Sequence, residues 1–273
     1  MRTIIKSLLS ITIFGTVSCG SSPKESKFKI VEDNYKPVHT AQQITEDLEF
    51  AYKQREPVLI ENFFSEWQKN IKPNSVEFIN QNETLSAIYD VFDTFYKPND
   101  LMKIGSWACV DDINLNCEYI VIQNQIIYSI VNSNNINEVD LNFSKKNLIS
   151  NFRPRITSES KNVLYLTDEY EESINDFLGK ESIESDEVET MQPSQNQGNE
   201  RKIKLLKQYI PILHDYWGRT WQLETYPYIN RIIFNKSIKK AKVEFYVGFQ
   251  NGQALLEKKV NKWIIKESKI NQE

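Results

Sequence analysis

His214-Asp-Tyr-Trp-Gly-Arg-Thr-Trp221 gathers much of the chemically capable side-chain variety of this sequence into one short run. A histidine beside an aspartate can titrate near neutrality and serve as a general base. Trp217 and Trp221, with Tyr216, Tyr226 and Tyr228 close in sequence, can line an apolar or sugar-stacking pocket. Arg219 offers a planar fork for an anion. His214, Trp217, Arg219 and Trp221 are therefore the candidate ligand-binding residues. The alternative is structural: tryptophans four apart pack beneath a sheet while His214 satisfies a buried carbonyl. The chain has no G-x-S-x-G elbow, no H-E-x-x-H pair and no cysteine nucleophile with its own histidine, so no catalytic residue is assigned. His39, the other histidine, falls in a polar stretch and is expected to be exposed.

The three cysteines carry the remaining reactive chemistry. Cys109 and Cys117 bracket a short polar run. In an oxidising compartment they can close a loop whose entropy would contribute about 2–3 kcal/mol; two buried thiols are the alternative. With no second cysteine pair and no nearby histidine, neither zinc nor any other metal or cofactor is expected. Cys19 has a different setting. Arg2 and Lys6 precede an apolar run from Leu8 to Val17, which is too short for the roughly 20 residues of a membrane-spanning helix. This is the pattern of a secretory signal.

Thr16-Val17-Ser18-Cys19 resembles the lipobox of bacterial lipoproteins, with Thr16 standing where that pattern usually has Leu. The resemblance implies a diacylglyceryl group on the Cys19 thiol, cleavage before Cys19 and an acyl chain such as palmitate on the new amine. Each buried methylene contributes roughly 0.8 kcal/mol, so several chains anchor firmly. An unmodified cysteine after a plain signal peptide is the alternative. The expected location is the cell envelope, the outer membrane before the inner, with the body facing the periplasm or the cell surface.

The elements that position these groups read as α+β. Net charge is −4, which argues against a nucleic-acid partner, and eight glycines with no G-x-G-x-x-G argue against a nucleotide fold. Apolar spacing predicts helices over 40–70, broken at Pro57, and over 84–96. Tyr119–Gln123 and Ile126–Val131 flank Asn124 and predict a β-hairpin. A strand at 163–166 leads to Thr167 as N-cap of a helix over 168–178, with Gly179 closing it. A helix from about Glu200 precedes strands at 229–234, 241–249, 253–260 and 262–269, with Asn251-Gly252 as a turn. The expected organisation is a signal peptide (1–18), a lipidated tether (19–27), a helical and hairpin region (28–179), an acidic linker (180–199), and a helix packed on a four-stranded antiparallel meander (200–273).

The run from Ala241 to Lys259, followed by Lys262-Trp-Ile-Ile-Lys266, resembles the last strands of cystatin-like cone folds, in which a curved sheet wraps a helix. Leu59-Ile-Glu-Asn-Phe-Phe64, Ala87-Ile-Tyr-Asp-Val-Phe92, Val163-Leu-Tyr-Leu-Thr167 and Thr225-Tyr-Pro227 resemble uncharacterised envelope lipoproteins of Bacteroidota, a group from which no activity carries over. Together these readings predict a lipid-anchored, non-enzymatic factor that binds another envelope protein. The competing expectation is a small-molecule or glycan module centred on His214–Trp221.

Overall fold

A computed structural model describes residues 29–31, 35–98, 100–105, 117–134, 136, 145–156, 162–179, 193–214, 221–223, 225–247 and 250–271, with the side chains of 29–31, 193–199, 213, 214 and 222 outside the description. The chain is α+β. Its helices are α1 (Ala41–Gln54), α2 (Pro57–Asn70), α3 (Val76–Ile79), α4 (Glu83–Phe95), α5 (Asp168–Leu178) and α6 (Pro193–Leu206). Its strands are β1 (Lys29–Val31), β2 (Tyr119–Ile122), β3 (Ile126–Val131), β4 (Asn147–Ile149), β5 (Asn162–Tyr165), β6 (Ile212–His214), β7 (Trp221–Leu223), β8 (Tyr228–Asn235), β9 (Lys240–Val247), β10 (Gln250–Lys259) and β11 (Lys262–Ile270).

A seven-stranded mixed sheet runs in the order β1-β4-β3-β8-β9-β10-β11. From β8 to β11 each strand pairs antiparallel with the next. The helix lying against this part of the sheet is α4, not the C-terminal helix expected there. α4 contacts β11, and the Phe95 ring sits 4.8 Å from that of Phe245 on β9. α6 lies instead against α5, as one of the four helices α1, α2, α5 and α6 that share contacts. One cluster of buried side chains takes in Phe64 and Trp67 of α2, Phe92 and Phe95 of α4, Phe177 of α5, Leu206 of α6 and Phe245 of β9. Fully burying an aliphatic or aromatic side chain of this kind contributes roughly 1.5–3 kcal/mol, and here the contribution links residues from both ends of the sequence.

Tyr119–Val131 does not form the expected hairpin. β2 pairs in parallel with β5, while β3 goes to the large sheet between β4 and β8. The reason lies in the connecting residues. The Gln123 side chain donates to the Ile229 carbonyl at 2.8 Å and accepts from the Ile229 N–H at 2.9 Å. Asn124 is buried and donates to Asp168 Oδ1 at 2.6 Å, so it ties a corner to α5 instead of turning the chain back. β2 is buried along its whole length, as a strand covered on both faces should be. Its second edge is met by the Tyr209 carbonyl, which accepts from Tyr119 N–H, and by Thr225 Oγ1, which accepts from Val121 N–H.

Two further boundaries move. Asn251-Gly252 lies inside β10 opposite Tyr246 and Phe245, not at a turn. Gly252 serves close approach: a Cβ there would sit 2.3 Å from Cζ of Phe245. α6 starts at Pro193, seven residues before the expected Glu200, so only 180–192 of the acidic linker remains, outside the described residues. Thr167 does precede α5, but its hydroxyl is buried without a partner and makes no capping bond.

Candidate functional site

The expected ligand-binding segment is only partly visible. β6 and β7 pair antiparallel with His214 opposite Trp221. Trp217 and Arg219 lie outside the described residues. Trp221 is buried, and its indole N–H donates to the Gly179 carbonyl at 2.9 Å, closing β7 onto the end of α5. Cys117 is buried and its Sγ donates to the Lys207 carbonyl at 3.6 Å; Cys109 lies outside the described residues, and so does any bond between the two. Cys19 and its flanks lie outside as well. His39 is half-buried, not exposed.

An opening lies elsewhere, where the corner between α1 and α2 faces α6. Its volume is about 780 Å³, and its walls carry Lys53, Arg55, Arg201 and Lys204 against a single acid, Glu56. The local sequence explains this placement. α1 opens with a capping box, Thr40 Oγ1 accepting from Gln43 N–H and Gln43 Oε1 accepting from Thr40 N–H at 3.0 Å. It ends at Arg55 in the left-handed conformation (φ 58°), and Pro57 then starts α2 at its first position. That tight corner projects Arg55 beside the start of the second helix. On α6, Arg201, Lys204 and Leu205 follow the spacing of one helical stripe and line the cleft, joined by Gln208 in the turn just after the helix, while Ile203 and Leu206 are buried in the core.

Beneath the rim the cleft is apolar, with Ala51, Tyr52, Ile60, Leu205 and Tyr209. Burial, reinforced by the Glu61 and Glu118 carboxylates, pushes the Tyr209 phenol above its ordinary range, which keeps it a neutral hydroxyl. Next to the cleft Lys202 is held from four sides. Its Nζ donates to Glu49 Oε1 and, at 2.9 Å, to the Phe177 carbonyl, and it lies 4.2 Å from the Phe177 ring centre and 5.6 Å from that of Tyr52. This node fastens α1, α5 and α6 together and sets the distance between the cleft walls. Among the described residues, Arg55, Arg201 and Lys204 make no ion pair, whereas Lys53 reaches Glu49 at 3.6 Å.

A second opening of about 650 Å³ lies where Tyr35 meets the turn before α3. Here Arg153 is buried with its guanidinium 4.3 Å over the Tyr35 ring. The buried Asn74 accepts from the Arg153 N–H at 2.5 Å and from the Tyr89 hydroxyl at 2.7 Å. Glu77 faces the same opening, its carboxyl held below the usual range by hydrogen bonds to its own backbone and to Ser75. These contacts read as a fastening of the loop at 151–154. On the sheet, Arg231 donates to Ser129 Oγ at 2.7 Å, and Lys242 pairs with Glu244 at 3.3 Å. Among the described residues no cluster of three or more His, Cys, Asp or Glu side chains is placed to hold a metal ion, and no helix is long and apolar enough to cross a membrane.

The sequence reading missed the α1–α2–α6 cleft. Its signal was present in Arg201, Lys202, Lys204 and Lys207, a basic run in a chain of net charge −4. No protein-family model, curated protein or solved structure matches this chain.

Proposed function

We propose that this chain is an exported lipoprotein, held to the outer membrane through acyl chains on Cys19, whose body is a non-enzymatic binding factor for another envelope protein. The observation that supports a binding role is the open cleft between the α1–α2 corner and α6, with four cations around an apolar floor. Clefts that take small molecules bury most of the ligand and aim a few polar groups at it. This one keeps its charged groups on an exposed rim, which suits part of a larger partner. The anchor is supported by the Thr16-Val17-Ser18-Cys19 pattern. The cystatin-like reading belongs to this proposal for the strands of residues 228–270, with α4 as the helix against them, supported by the consecutive antiparallel pairing of β8 to β11. The test is fractionation of cells carrying the native chain or Cys19→Ala, with intact-mass measurement. The native chain is expected in the membrane fraction with an acylated Cys19 as its first residue, and the variant in the soluble fraction. A full-length unmodified mass, or a variant retained on the membrane, would refute the anchor.

A further inference from the structure

We infer that the cleft between the α1–α2 corner and α6 recognises an acidic segment of the partner protein, carboxylates on its rim and one apolar side chain on its floor. This inference rests on the binding role proposed above and adds the chemistry of what is bound. Three observations carry it. First, Arg55, Arg201 and Lys204 line the opening and make no ion pair among the described residues, so their charge is available to a ligand. Two of them are guanidinium groups, which match a carboxylate with paired hydrogen bonds. Second, α2 begins at this opening: its N-cap is Glu56, whose side chain makes no capping bond, and the N-terminal end of a helix favours negative charge. Third, the floor is apolar, lined by Ile60, Leu205, Tyr52 and Tyr209. A bare anion would gain nothing from that surface. Arginine clusters around an apolar anchor site are a recurrent solution for acidic-motif binding.

The experiment uses the full chain and a fluorescein-labelled peptide repeating Glu-Leu-Asp, read by anisotropy against the same peptide with Gln and Asn in place of the acids. The acidic peptide is expected to bind at least about tenfold more tightly, with affinity falling as salt is raised. Arg201→Glu combined with Lys204→Glu should remove that preference. Arg55→Gly, which suits the left-handed backbone at this position, should weaken binding with no loss of thermal stability. Lys266→Glu, remote on β11, should change nothing. Equal binding of the acidic and amide peptides, or an unchanged affinity in the double charge reversal, would overturn the inference. So would inorganic phosphate competing as strongly as the acidic peptide, which would indicate a simple anion site. A photo-crosslinking residue in place of Gln208, in the native membrane, separates the two levels. Capture of a partner there with no peptide preference overturns the acidic assignment alone; neither capture nor peptide binding overturns the binding role too.

Discussion

Replacing Lys202 tests how the helical wall of the cleft is held together. Its side chain is 18% exposed and that of Glu49 is 26% exposed, so the pair is largely covered. Two charges in contact gain about 4 kcal/mol at an effective dielectric near 20. Desolvation takes back more than half, leaving a coupling of about 1.5 kcal/mol, above the ~0.2–1 kcal/mol of exposed pairs. Lys202 also donates to the Phe177 carbonyl and lies over the Phe177 ring. Those two contacts add about 1.5 kcal/mol together. Glu49 is better protected, because Lys53 remains beside it when Lys202 is lost. Glu49→Gln should then cost about 1.5 kcal/mol, Lys202→Met about 3, and the double variant about 3 instead of the additive ~4.5. At ~2–4 °C per kcal/mol, melting should fall by about 3–6 °C and about 6–12 °C for the two single variants. Denaturant titration followed by far-UV circular dichroism measures all four free energies. Additive single-variant losses would refute the coupling, and a Lys202→Met chain as stable as the original would refute the node itself.

Three other outcomes follow from the geometry. Gly252→Ala places a methyl group against the Phe245 ring and should cost about 1–3 kcal/mol, part of it recovered by Phe245→Leu; a neutral result would mean the ring does not cover that position. Val260, 95% exposed at φ 57° in the two-residue turn between β10 and β11, occupies a backbone conformation that disfavours a β-branched side chain. Val260→Gly should stabilise the chain by about 1 kcal/mol in thermal melts, and a lower melting temperature would contradict that turn geometry. Burial raises the phenol pKa of Tyr96, Tyr165 and Tyr170 above the ordinary tyrosine value of about 10. Between the unfolded and folded values the native state binds more protons, so this stabilisation is complete below about pH 10 and is lost as pH rises through the higher folded values. Melts across that range should show the decline, with these phenols ionising only as the chain unfolds; tyrosinate absorbance appearing before the transition would count against their burial.

Elements whose reasons are local were legible in the sequence. The apolar spacing over 40–70, its break at Pro57 and the stripe from Leu85 to Phe95 mark α1, α2 and α4 through local apolar periodicity. β10 and the second half of β9 show alternating burial because one face is covered. What failed was long-range. Asn124 resembles a turn residue until Asp168 and Phe152 bind it from elsewhere in the chain, and Asn251-Gly252 resembles a hairpin until Phe245 covers the glycine. The cleft was hidden for the same reason: Lys53 and Arg55 stand far from Arg201 and Lys204 in sequence, and only the packing of α6 beside α1 brings them together. His214–Trp221 stands out in the sequence by composition alone. Its Trp221 indole N–H is used on the Gly179 carbonyl.

The parallel pairing of β3 with β8 has a kinetic consequence. Ile127 finds its neighbour in Arg231, so the middle of the large sheet stays open until most of the polypeptide has been made. Contacts of such wide sequence separation slow folding, because the loop must close before the pairing rewards it. A nascent chain of this topology cannot complete its large sheet until β8 has been made.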